Sequence, residues 1–172
     1  YLMKYFLMDE WQNRPMPLLA AFYNLDESLK DLPEGQEISA QFKGYEEITS
    51  KTKGIDFALT NLNGDTVRLS DFRGKKVLLD FWSSTCIPCI QDLPKLRAYH
   101  QAHPDVQLIA ISLDERKADW QDAIKRHKFD FGLHLSDLKG FKGDVANRMF
   151  RIEYIPRKVL IDEEGILIDA YY

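Results

Sequence analysis

The stretch Lys76–Leu96, KVLLDFWSSTCIPCIQDLPKL, constrains this chain more than any other. It opens on an apolar run, Val77–Trp82, of the length of a buried strand. Ser83, Ser84 and Thr85 follow, all good helix N-cap residues. The segment then continues with helical spacing, which puts Ile90, Leu93 and Leu96 on one face. The chain has only two cysteines, and both, Cys86 and Cys89, fall at this strand-to-helix junction. A thiol in the first turn of a helix meets free backbone N–H groups and the positive end of the helix dipole. Both favour thiolate over thiol, so Cys86 is expected to be the more acidic and nucleophilic of the two. Cys89, three residues on, is near enough to close a small disulfide ring with it.

Composition narrows the alternatives. At 172 residues the chain has room for one domain and an appendage, and 45% apolar content is ample for a core. A net charge of −4 offers no basic footprint, so nucleic acid is not an expected partner. No apolar run reaches the roughly 18 residues of a membrane span. The chain starts at Tyr1, which leads us to expect a processed or trimmed protein. A CxxC pair fits a redox couple better than a structural staple, because so small a loop adds little stability.

Tyr1–Thr52 reads as helical, with a first helix over Tyr1–Trp11, a break at Pro15 and Pro17, and a second helix over Leu18–Leu32. Pro33-Glu34-Gly35 reads as a turn and Glu37–Ile48 as a third helix. Ser50–Gly54 is a polar linker. Phe57–Leu69 is a β-hairpin turning at Asn63-Gly64. Val106–Leu113 is a second buried strand, and Lys117–Lys128 has helical spacing. Phe131–Leu135 is a short strand or extended link, and Asp144–Phe150 a short helix. Strands at Lys158–Asp162 and Ile166–Tyr171 complete the chain. Strands alternating with helices argue an α/β fold with a mixed sheet.

These signatures, in this order, carry a resemblance. Strand, CxPC, helix and a later Ile-Pro entering a strand resemble the thioredoxin superfamily. GIDFALTNLNGDTVRLSDFRGKKVLLDFWSSTCIPC is similar to the TlpA-like family of bacterial thiol–disulfide oxidoreductases. The likeness runs from about Gly54 to Tyr172. It implies a thioredoxin-like domain over residues 54–172, with a mixed central sheet and an N-terminal β-hairpin, preceded by a helical region over residues 1–53. Such domains finish with a further helix, which we expect to be missing from this sequence. The resemblance favours the periplasm, with a membrane anchor allowed in a precursor but not in this chain.

The resemblance also implies roles. Cys86 would attack a partner disulfide and Cys89 would resolve the mixed disulfide. The partners implied are a protein disulfide substrate and an upstream thiol electron donor, with no cofactor and no metal. Pro88 stiffens the ring. An X-Pro bond is trans by default; the resemblance reverses that for Ile155-Pro156, whose backbone would pair with an extended substrate. Asp80 interrupts an apolar strand, where a charge is costly unless it has a purpose. It matches a buried acid that would accept a proton from Cys89, against the plainer reading of a solvated edge-strand acid. Asp92, one turn past Cys89, matches an active-site glutamate, against the plainer reading of a helix-surface acid. Trp82 is expected beside the site on the substrate side, or as ordinary core. Thr85 departs from the tryptophan common in the family and leaves Cys86 more accessible.

The histidines at 100, 103, 127 and 134 read as surface or packing residues, and Asp114–Lys117 as a solvated loop or helix start. The leading expectation is a reductase of periplasmic protein disulfides. Its rivals are a copper chaperone using both thiolates and His134, and a thiol peroxidase. A third is a binding module in Tyr1–Thr52 served by the redox domain. The CxxC spacing and Pro156 argue against copper, and the absence of a third cysteine against a peroxidase.

Overall fold

Buried positions run without a break from Val77 to Trp82, because this strand has a packed layer on each side. The computed structural model describes residues 27–37 and 56–171, with side chains described for 28–37 and 56–167. The expected helices over Tyr1–Trp11 and Glu37–Ile48, and the linker, lie outside these residues almost entirely. Within 27–37, a short helix Glu27–Lys30 bends and then resumes over 33–37. This corrects the expected turn at Pro33-Glu34-Gly35: Pro33 stands at a helix start, where its missing N–H costs nothing.

Seven strands form one mixed sheet in the order β2-β1-β5-β4-β3-β6-β7. The hairpin is β1 (Ala58–Asn61) with β2 (Thr66–Arg68). Its turn is held by Asn61, whose Oδ1 accepts the N–H groups of Asn63 and Asp65, each at 2.9 Å. Gly64 sits there at φ 94°, a conformation that favours glycine. β3 (Lys76–Trp82) is central, parallel to β4 (Val106–Ser112) and antiparallel to β6 (Arg157–Ile161). β5 (Leu133–Ser136) runs parallel to β4, and β7 (Leu167–Tyr171) antiparallel to β6. Of the two alternatives expected for Phe131–Leu135, a short strand or an extended link, the structure has the strand, starting two residues later. The short helix expected over Asp144–Phe150 is a single wide π-type turn, Val145–Met149.

Alternation along β3 splits the core into two. Val77, Leu79 and Phe81 pack with Phe57, Leu59, Leu69, Phe150 and Ile152 on one face. Leu78, Asp80 and Trp82 share the other parity, and Leu78 and Trp82 lie under two helices. These are α1 (Ile87–Ala102), through Cys89, Leu93 and Leu96, and α2 (Lys117–Arg126), through Trp120 and Ala123. An acid at position 80 is thus aimed at the layer from which α1 presents its cysteine.

Candidate active site

The start of α1 is built on sulfur. Cys86 is itself the N-cap residue, and its Sγ lies 3.2 Å from the backbone nitrogen of Cys89, whose N–H it accepts. This corrects the expectation that Ser83, Ser84 or Thr85 would cap the helix. Pro88 falls in the first turn, where a proline costs no hydrogen bond. Cys86 and Cys89 form a disulfide with S–S 2.01 Å and Cα–Cα 5.2 Å. Both cysteines are nearly buried, yet Thr85, Ile87 and Pro88 around them are exposed, Ile87 to 69%. Thr85, Ile87 and Pro88 therefore form an exposed rim with the disulfide just beneath it.

The Ile155-Pro156 bond is cis. Arg157, the next residue, pairs with Phe81 near the end of β3, so the Ile155-Pro156 segment arrives at the end of β3 from which the chain passes to α1. Ile155 is half-buried and packs against the cluster that holds both cysteines.

Below the cysteines lies a charged chain that sequence reasoning only half anticipated. Asp80 is buried, and directly across the sheet from it stands Lys158. The Lys158 ammonium lies 3.3 Å from Asp80 Oδ1 and 2.5 Å from Asp92 Oδ2. Asp92 is one helical turn past Cys89, so the ammonium bridges sheet and helix. The solvated edge-strand reading of Asp80 is excluded, because β3 is central and the side chain is 5% exposed. The plain helix-surface reading of Asp92 is corrected too, since it is bonded inward. Burial raises the Asp80 carboxyl above its ordinary range; the Lys158 charge and hydrogen bond oppose this, and nearby Asp92 adds to it. For Lys158, burial pulls downward, but attraction to Asp80 and Asp92 wins and the ammonium is held above its ordinary value. Lys158 was missed because strand ends commonly carry lysine. The available signal was a second charge heading the apolar run of KVLI, a candidate partner for the puzzling acid of KVLLDFW.

Trp82, expected on the substrate side, has no exposed surface. It is an element of the floor, edge-on to Phe129 at 5.0 Å between ring centroids. Its inward parity on a central strand leaves it no route to a substrate. His134 lies beside it, 4.6 Å from the Phe129 ring and 6.3 Å from Trp82. His134 is therefore a packing residue, and neither ring nitrogen has a hydrogen-bond partner in good geometry among the described residues. Burial lowers its pKa to about 4, against weaker upward pulls from the backbone at Phe131 and Phe129 and from Asp130. The unfolded chain takes up this proton near pH 6.5 and the folded one only near 4, so the contribution is complete above pH 6.5 and is lost as pH falls toward 4. The loss amounts to ~3 kcal/mol. A His134→Leu variant is expected to show a flatter fall in urea stability between about pH 6.5 and 5 than the parent. Equal slopes would refute the assignment.

The charge run Asp114–Lys117 is not uniformly solvated. Asp114 is buried, and its carboxylate accepts the Ser84 backbone N–H at 3.1 Å, the Ser84 hydroxyl at 2.6 Å and the Ser112 hydroxyl at 2.8 Å. Among the described residues no group of three or more His, Cys, Asp or Glu is arranged to hold a metal ion.

Known proteins resemble this chain in sequence and in fold. Residues 51–170 match the AhpC/TSA family. The chain is 26% identical over 133 residues to the thiol-disulfide oxidoreductase ResA of Bacillus thuringiensis, covering 74% of each chain. It is 28% identical over 137 residues to the thioredoxin-like protein YneN of Bacillus subtilis, covering 74% of this chain and 78% of that one. Among solved structures, the thioredoxin domain of a thiol-disulfide oxidoreductase from Bacteroides vulgatus superposes with a TM-score of 0.64 at 27% identity, over 71% of this chain and 87% of that one. The chain belongs to the AhpC/TSA family and is a thiol–disulfide oxidoreductase of thioredoxin-like fold.

Proposed function

We propose that this protein reduces disulfides of periplasmic proteins, with Cys86 as nucleophile and Cys89 as resolving thiol. The observation that carries the reading is the Cys86–Cys89 disulfide at the mouth of α1, with Cys86 Sγ accepting a helix N–H. In the reduced protein the same N–H and the helix dipole stabilise a Cys86 thiolate. That thiolate attacks one sulfur of a partner disulfide. The partner's S–S bond breaks, a mixed disulfide forms, and the released partner thiolate takes a proton from water. Cys89, losing its proton to Asp80, then attacks Cys86 Sγ. The Cys86–Cys89 bond forms, the second partner thiol leaves, and two electrons have passed to the partner. An external dithiol donor restores the reduced pair.

Asp80 suits the acceptor role because burial raises its affinity for a proton. Asp92 acts on it at one remove, by holding the Lys158 ammonium. Exposed Thr85 and Pro88, with half-buried Ile155 and Pro156, form the rim that an extended partner strand would meet. The reducing direction is supported by charge. Asp80 and Asp92, two acids, share the single ammonium of Lys158 on the side of the sheet that carries α1. A negative surrounding disfavours thiolates, and strong oxidants of this class owe their potential to a stabilised reduced form. A potential nearer about −270 mV than about −120 mV is expected.

The Cys89→Ser variant tests the roles. It is expected to accumulate mixed disulfides through Cys86, recovered with the captured partner from periplasmic extract. The parent is expected to catalyse insulin reduction by dithiothreitol. Trapping by Cys86→Ser in place of Cys89→Ser would reverse the assignment, and no catalysis above background would remove the reductase reading.

A further inference from the structure

We infer that Asp114 is a positioning residue for disulfide exchange: through Ser84 it clamps the loop that presents Cys86 at the mouth of α1. This rests on the reading of Cys86 as nucleophile and adds a residue to it.

The loop between Trp82 and Cys86 is three residues long, Ser83-Ser84-Thr85. Its conformation decides whether Cys86 lands at the N-cap, with its sulfur toward the Cys89 N–H, or outside the helix. Within the loop the support is slight: the Cys86 N–H donates to the Ser83 carbonyl at 3.1 Å, and the two hydroxyls of Ser83 and Thr85 stand 3.4 Å apart. The strong contacts come from 30 residues away. Both Asp114 oxygens take the Ser84 N–H, and Oδ1 also takes the Ser84 hydroxyl at 2.6 Å. Hydrogen bonds to a charged acceptor are roughly twice as strong as neutral ones.

The clamp is itself anchored. Asp114 Oδ2 accepts the Ser112 hydroxyl, and the Asp114 N–H donates back to that hydroxyl at 3.1 Å. The Ser136 hydroxyl donates to the Ser112 carbonyl at 2.8 Å, which ties in β5. Leu113 N–H donates to the Trp82 carbonyl at 2.8 Å, so the ends of β3 and β4 are locked just before the loop begins. Ser112, Ser136 and Asp114 are all buried, which keeps water from competing for these bonds. Asp114 has no ion-pair partner among the described residues. A buried carboxylate is costly unless its hydrogen bonds serve something, and here they converge on the segment that aims Cys86.

Position and charge make opposite predictions. Of the charged groups named above, Asp80 on β3, Asp92 on α1 and Lys158 on β6 are committed to one another, whereas Asp114 after β4 is bonded to the loop before Cys86. If Asp114 acted only as a nearby negative charge, removing it would make the Cys86 thiol more acidic. If it holds the loop, removing it lets Cys86 leave the helix mouth and makes the thiol less acidic.

The test is alkylation of the reduced protein by iodoacetamide across about pH 5 to 9, with the modified cysteine identified by mass. In Asp114→Asn, Cys86 is expected to react about three- to tenfold more slowly at neutral pH, with its apparent pKa raised. Ser84→Ala, which keeps the backbone bond to Asp114, is expected to shift the same way by less. The double variant is expected to be no slower than Asp114→Asn alone, because both act through one contact. A lowered Cys86 pKa in Asp114→Asn overturns the clamp in favour of plain charge. An unchanged profile with a lower melting temperature overturns it in favour of a merely structural role. Should Asp114→Asn fail to fold, an unshifted profile in Ser84→Ala overturns the inference by itself. Alkylation of the parent first at Cys89 refutes the nucleophile assignment, and the clamp with it.

Discussion

Cys86→Ser is expected to lose catalysed insulin reduction by at least ~10³-fold, with the fold intact. Serine in place of Cys86 keeps an acceptor near the Cys89 N–H, so α1 still has a cap. What disappears is the ionisable sulfur, and a serine hydroxyl does not exchange with a disulfide. Stability responds much less. The disulfide closes a loop of sequence separation 3. Chain entropy assigns so short a crosslink about 2 kcal/mol. Activity and stability therefore separate: turbidimetric insulin assays should read zero on a protein whose denaturation midpoint moves only modestly. A variant retaining a tenth of the parent rate would show that the exchange chemistry does not begin at Cys86.

Lys158→Met is expected to be the most destabilising single change near the site, by about 3–5 kcal/mol at neutral pH. The side chains of Lys158 and Asp80 are 8% and 5% exposed, so the variant leaves a buried carboxylate with no cation. The pH dependence follows from the directions of the shifts. Asp80 is raised above 3.8 in the folded protein, so its contribution is complete below pH 3.8 and is lost as pH climbs through the raised value. Lys158 pulls that value down, and without it the carboxyl rises further. The destabilisation of Lys158→Met should accordingly shrink as pH falls toward 3.8, because the variant's Asp80, the more strongly raised of the two, takes up its proton first. Lys158 itself is raised above 10.5, so its own contribution persists below that pH and fades beyond it. Replacing both members, Asp80→Leu with Lys158→Met, should recover most of the loss. Urea titrations of the parent, Lys158→Met and the double variant check this; a double variant as unstable as the single one would mean that packing, not an orphaned charge, sets the cost.

Much of the architecture was legible before the structure, and for local reasons. Asn63-Gly64 marks the hairpin turn because few residue pairs tolerate its backbone angles. The runs at Lys76–Trp82 and Val106–Ser112 announce buried strands because two packed faces leave no room for alternation. Cys86 at a helix start follows from a strand, three small polar residues and a proline in the first turn. Each of these signals is contained in a few consecutive residues, and short-range sterics write it there.

The tertiary structure alone decided which charges meet. Asp92 and Lys158 are 66 residues apart, and Ser84 and Asp114 30 apart. A lysine in a strand and an aspartate in a charge run look like solvated surface when read singly. Their burial depends on strand order, register and the face on which a helix lands. The same holds for Trp82 and His134, whose inward orientation comes from sheet neighbours remote in the chain. The sequence by itself determined the two sulfurs and the helix start at which they sit. Only the fold decided the charged and hydroxyl groups that hold and tune them, because those contacts depend on how distant strands are placed side by side.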